Sequence, residues 1–151
     1  MKAVIQRVAH ACVKIDGEIT GKAEKGFLVL LGVTEEDTDE QARLLAQKVA
    51  NLRIFCDEND KMNLSLLDIA GDALVISNFT LCADSKKGNR PSFIHAMEPV
   101  RADELYRLFC SELSSCGVKS VQTGRFGADM KVDLLNDGPV TIILDTDIWR
   151  K

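Results

Sequence analysis

Apolar residues recur at helical spacing in two stretches of this 151-residue chain, and strand-patterned segments precede, separate and follow them. That order constrains the fold most. Strands alternating regularly with helices would build a covered parallel sheet, whereas strands gathered around two helices predict an α+β fold with mixed or antiparallel sheets. Alternation from Lys2 to about Ile15 turns at Asp16-Gly17 into Glu18 to Gly21, the signature of a hairpin. Phe27 to Val33 is a nearly all-apolar strand. The first helix carries Asp37, Asp39 and Glu40 in its first turn and Ala42, Leu45, Val49 and Leu52 on its buried stripe. Arg53 to Cys56 reads as a short strand, Asp57 to Lys61 as a polar turn and Leu74 to Leu81 as the central strand. A second helix spans about Ala102 to Cys116, with Leu105, Leu108, Phe109 and Leu113 on one face and Gly117 as its stop. Val118 to Thr123, Lys131 to Leu135 and Val140 to Thr146 close the chain as strands.

The length is that of one domain, residues 1–151, and 46% hydrophobic content suffices for a single core. No run of 18 apolar residues occurs, and Met1-Lys2-Ala3-Val4 leads into strand alternation rather than a signal-peptide core. A cytoplasmic protein with no membrane association is expected. Cys12, Cys56, Cys82, Cys110 and Cys116 are odd in number and scattered, without CxxC or a Cys/His cluster. They predict reduced, mostly buried thiols, no metal site and no cofactor. A net charge of −4 argues against a broad basic face and against DNA as a partner. The one local cationic cluster is Lys86, Lys87 and Arg90, around Gly88 in a long loop from Ala83 to Pro99 that holds two of the three prolines. Its length marks it as substrate-facing.

Two segments stand out chemically. Ser77-Asn78-Phe79-Thr80-Leu81 follows the apolar run Leu74-Val75-Ile76, so two hydroxyls and an aromatic arrive where a buried strand leaves the core. Asn136-Asp137-Gly138-Pro139-Val140-Thr141 sets Gly-Pro before an apolar strand, although proline lacks an amide hydrogen and a central ladder excludes it. Standard hydrolytic machinery is absent: His10 lies in the first strand and His95 in the long loop, and neither HExxH nor a GxxxxGK loop occurs. The carboxylates of Asp37, Asp39 and Glu40 read as helix-start residues. A threonine hydroxyl without a neighbouring base is a poor nucleophile, so Thr80, Ser77 and the backbone beside them suit a site that stabilises an oxyanion on an already activated ester.

These segments, with Ala3-Val4-Ile5-Gln6-Arg7-Val8, Leu30-Leu31-Gly32-Val33, Arg53-Ile54-Phe55, Lys61-Met62-Asn63-Leu64, Arg90-Pro91-Ser92-Phe93 and Thr123-Gly124-Arg125-Phe126-Gly127-Ala128-Asp129-Met130, resemble the D-aminoacyl-tRNA deacylases along the whole chain. One departure is Asn78, where that family usually has Gln. The resemblance implies two barrel-like β-sheets with two helices packed on one side, a three-layer ββα sandwich, and a homodimer acting on the 3′ end of aminoacyl-tRNA. It implies hydrolysis of D-aminoacyl-tRNA, and of glycyl-tRNA mischarged on tRNA(Ala), as translation quality control. Ser77, Phe79 and Thr80 become the catalytic segment. Gly138 and Pro139, joined by a cis peptide, become a chirality filter entering the partner's pocket, with Asn78, Phe126, Arg7 and Met130 around the substrate. Two other readings stay open from the residues alone: a non-catalytic dimeric module that binds a tRNA end, and a generic threonine esterase.

Overall fold

A computed structural model gives the arrangement of residues 1–149. The elements in order are β1 (Lys2–Ile15), β2 (Glu18–Ala23), β3 (Gly26–Gly32), α1 (Asp39–Asn51), β4 (Phe55–Cys56), β5 (Met62–Leu64), β6 (Asp72–Ser77), a 3-10 turn (Phe79–Cys82), α2 (Pro99–Ser115), β7 (Val121–Thr123), β8 (Lys131–Asp145) and a last 3-10 turn (Thr146–Trp149). The main sheet runs β2-β1-β3-β6-β7, with β8 along β1 as well. Pairings of β1 are antiparallel, while β3–β6 and β6–β7 are parallel. The expected mixed α+β architecture is therefore present. Its ends nearly close into a barrel, because the Lys22 amide donates to Gln122 Oε1 at 2.9 Å between β2 and β7. A Cβ at Gly21 would stand 2.4 Å from the Thr123 carbonyl, so glycine permits that approach.

Alternate residues of β3 and β6 serve two cores. Phe27, Val29, Leu31, Ala73 and Val75 face the helices, and Leu28, Leu74 and Ile76 face a second cluster with Val8, Ala11 and Val13. Burial on both faces explains why these strands are nearly all apolar. β1 serves both cores by changing parity: Ala3 and Ile5 join the first and Val8 the second. The change coincides with irregular pairing to β8 at Gln6/Val8 and Val8/His10, since one extra residue flips the side-chain face. On the first core lie Ala42, Leu45 and Val49 of α1 and Leu105, Phe109 and Leu113 of α2, in keeping with the helical spacing.

Several boundaries differ from the expected ones. The central strand ends at Ser77 rather than Leu81, and Phe79–Cys82 coils into a 3-10 turn. β7 starts at Val121, not Val118. The short strand after α1 is only Phe55–Cys56. Pro99 opens α2, three residues early, where its missing amide costs nothing, and Glu98 caps the amides of Val100 and Arg101. Lys131–Leu135 and Val140–Thr146 are one strand, β8, interrupted from within. Asp37 precedes the first turn of α1, which Thr38 caps, and is buried. It pairs with the Met1 α-ammonium and accepts from the Thr34 amide at 2.7 Å.

All five cysteines are free, but only Cys82 is fully buried; Cys12, Cys110 and Cys116 are half-buried and Cys56, on the outer two-stranded sheet, is exposed. Burial pushes Cys110 up to about 12 and raises Cys82, so both stay protonated in mild base. Brief alkylation at pH 8 should therefore label Cys56 first and leave Cys110 and Cys82 unmodified, as peptide mass spectrometry would show. Labelling of Cys110 before Cys56 would contradict this packing.

Candidate active site

The Ser77 segment is positioned by the end of a parallel pair. Ser77 stands opposite Leu31, and the Asn78 amide extends the ladder by donating to the Leu31 carbonyl at 2.8 Å. The chain then turns, with the Leu81 amide reaching back to the Asn78 carbonyl at 3.3 Å. Ser77, Asn78 and Phe79 thereby line a cavity of about 320 Å³ with Phe126 and Met130, floored by Leu30 and Ile76 from the second core. Thr80 sits exposed beside it and donates its hydroxyl hydrogen to Asn78 Oδ1. Phe126 is held from behind by the Tyr106 ring, 6.1 Å away, whose hydroxyl donates to the Val75 carbonyl at 2.7 Å. A larger cleft of about 640 Å³, with Lys2, Glu35, Asp84, Lys86 and His95, contains none of these pocket residues. We take the smaller one as the site because it gathers the two hydroxyl-bearing positions and the pocket aromatics.

Gly138 and Pro139 occupy the interruption of β8. Gln6 pairs Thr141 and Val8 pairs Asn136, so Asp137 to Val140 oppose Arg7 alone and the chain swells outward. The Gly138-Pro139 peptide is cis, as expected. Arg7 braces this swelling: Nε donates to the Asp137 carbonyl at 2.9 Å, while Nη1 donates to the Ile54 carbonyl at 2.8 Å. Gly138 has φ +150°, and a Cβ there would lie 2.6 Å from the Val140 nitrogen. Asn136 was not singled out for a role, yet it ties the loop at both ends: Oδ1 accepts from the Val140 amide at 2.9 Å and Nδ2 donates to the Val140 carbonyl at 3.2 Å. Its signal was an Asn just ahead of Asp-Gly-Pro, a residue type that bonds nearby backbone.

The two groups are not adjacent within one chain. Gly138 and Pro139 are exposed and absent from the cavity wall, which β8 enters only at Met130 and Val132. Six strand residues from Val132 to Gly138 span roughly 20 Å. Arg7 therefore belongs to the loop and not to the cavity. His10 and His95 are exposed, and His95 pairs with Glu35 at 2.9 Å away from the cavity wall. Among the described residues, no group of three or more His, Cys, Asp or Glu could hold a metal ion.

The family described as D-Tyr-tRNA(Tyr) deacylase matches residues 4–145 of this chain. The chain belongs to that family. It is therefore an enzyme, a hydrolase of the deacylase class. A D-aminoacyl-tRNA deacylase of Fusobacterium nucleatum is 58% identical over 97% of this chain and 96% of its own. A solved structure titled c-Myc DNA Unwinding Element Binding Protein superposes with a TM-score of 0.91 at 40% identity, covering 96% of this chain and 98% of that one. A probable eukaryotic D-amino acid tRNA deacylase, 16% identical with a TM-score of 0.80 over 95% of this chain and 97% of its own, shares the fold. The barrel-like sheet, small second sheet and two helices are thus those of the deacylases.

Proposed function

We propose that the chain hydrolyses the ester of D-aminoacyl-tRNA to free tRNA and D-amino acid, as a homodimer in which the Gly138-Pro139 loop of one subunit closes the Ser77 to Thr80 cavity of the other. The observation that carries the dimeric reading is the separation on a single chain of a braced loop from an incomplete cavity. A two-fold pair supplies both halves twice. An L-residue would drive its side chain into the loop backbone, whereas a D-residue points it away. Glycine has nothing to exclude, so glycyl-tRNA mischarged on tRNA(Ala) is also a substrate, and the activity protects translation from wrong residues.

The chemistry rests on orientation and backbone donors. The first amides of a 3-10 turn have no acceptor inside it, so those of Phe79 and Thr80 are placed to receive the developing oxyanion. Water adds to the ester carbonyl carbon, the bond to the ribose 3′-oxygen breaks, and the tRNA leaves with a proton on that oxygen; the vicinal ribose hydroxyl is placed to assist. Thr80 is not the nucleophile in this reading, because its hydrogen is held by an amide oxygen, which is no base. Among the described residues neither Thr80 nor Ser77 bonds to a carboxylate or an imidazole through its hydroxyl. Ser77, Thr80 and Asn78 then hold the reacting end, the Phe126 carbonyl takes the α-ammonium and Met130 packs beside the entering loop. With a net charge of −4 the grip on nucleic acid is local, which favours an aminoacylated RNA end over a duplex such as the one named for the 40%-identical structure.

Matched D- and L-aminoacyl-tRNA and a small activated ester test this together. Selective loss of the D-ester is expected; retention without hydrolysis indicates the binding module, and cleavage of all three the generic esterase. Thr80→Val should lower turnover by about tenfold to a few hundredfold, one hydrogen bond's worth, with no acyl-enzyme in the parent. A trapped acyl-Thr80 would reverse the assignment.

A further inference from the structure

Phe79 does more than border the cavity. Its ring is 58% exposed and meets Phe93 edge-on, with centroids 5.1 Å apart and planes at 72°. Phe93 ends the long loop, and that loop is fastened just before it. The Asp84 and Ser92 backbones exchange hydrogen bonds of 2.8 Å in both directions, and Asp84 Oδ1 takes the Lys86 amide at 2.9 Å. The intervening tip turns at Gly88, with φ +72°, and presents Lys86, Lys87 and Arg90 to solvent. None of these three cations is in an ion pair among the described residues, in a chain whose overall charge is −4. Most other arginines are paired, for example Arg101 with Asp39 and Glu104, and Arg107 with Asp103.

Unpaired cations on a fastened tip, next to an exposed aromatic pair on the rim of a reaction cavity, suit a single-stranded nucleic acid: bases stack on rings and phosphates meet the cations. We propose that the Phe79–Phe93 pair and the Lys86, Lys87 and Arg90 tip bind the unpaired nucleotides that precede the acylated adenosine of tRNA. This rests on the deacylase reading above, which fixes the ester in the adjoining cavity. A sugar or peptide would use the rings but leave the cations idle. Three of them held without carboxylate partners mark a polyanion.

The test compares D-aminoacyl-tRNA with D-aminoacyl-adenosine, which keeps the ester and lacks the preceding nucleotides. Phe93→Leu should lower kcat/KM on the tRNA by about 5- to 100-fold, the worth of one stacked base, while the adenosine ester is hydrolysed as by the parent. Lys86→Ala/Lys87→Ala/Arg90→Ala should flatten the log–log salt dependence of tRNA binding by about 2, since each single-strand phosphate contributes roughly 0.7. An abasic penultimate nucleotide should reproduce the Phe93→Leu loss and add nothing to it. Equal slowing of both substrates, or an unchanged salt slope, would overturn the site. If the parent hydrolyses neither substrate, the deacylase reading fails, whereas tRNA binding by parent and variants still reports on the platform.

Discussion

Gly138→Ala and Thr80→Val, each impaired alone, are expected to recover activity when their subunits are mixed, unfolded and refolded together. Each substitution damages one half of a site that two chains build. Alanine at position 138 places a Cβ 2.6 Å from the Val140 nitrogen at φ +150°, so the loop must shift. Arg7 and Asn136 hold its neighbours, which leaves the shift to the exposed tip that enters the partner's cavity. A displacement of about 1 Å at a reacting centre costs on the order of a hundredfold in rate. In a mixed dimer one site carries both defects and the other neither. Random reassociation makes about half the dimers mixed, so roughly a quarter of parental activity returns, provided the interface is isologous. Mixtures no more active than the average of the two variants would place both halves of the site on one chain.

The sequence carried the fold through side-chain periodicity and carried the site only as segments. α1 and α2 were legible because each presents one apolar stripe to one core, as Leu45 and Val49 or Leu105 and Phe109 do. The strand ends were not. Ser77 to Leu81 looks like strand because Phe79 and Leu81 continue the alternation, yet two backbone bonds, from Asn78 to Leu31 and from Leu81 to Asn78, end it. β8 looked like two strands because Gly138-Pro139 cannot pair; the ladder to β1 resumes beyond them since Asn136 and Arg7 close the swelling from either side. The brace by Arg7 was expected, whereas Asn136 and the hydroxyl bond from Thr80 to Asn78 needed coordinates. Both are short-range bonds whose partners share no sequence pattern. The Asn78 position illustrates the limit: composition showed an unusual amide, and only geometry showed what it accepts.

Asp37→Asn should destabilise the fold far more than any surface ion pair. The reading of Asp37 as a helix-start residue predicts a loss of only about 0.3–1 kcal/mol, the scale of a charge near an exposed helix end. Its position predicts otherwise. Both the Met1 α-ammonium and the Asp37 carboxylate have zero side-chain exposure, and Thr146 joins them by accepting from the ammonium at 2.7 Å. Asparagine keeps the shape and removes the negative charge, leaving a buried ammonium without its counterion. Removing one partner of a buried pair costs about 3–5 kcal/mol. The control is Asp103→Asn, which breaks a 3.0 Å pair to Arg107 whose side chain is 76% exposed; about 0.5 kcal/mol or less is expected there. Urea unfolding of both variants and the parent at one protein concentration gives the comparison, because the midpoint of a dimer depends on concentration. A midpoint for Asp37→Asn as close to the parent as that of Asp103→Asn would show that water reaches the pair, and the anchoring of the chain start to α1 and the last turn would have to be abandoned.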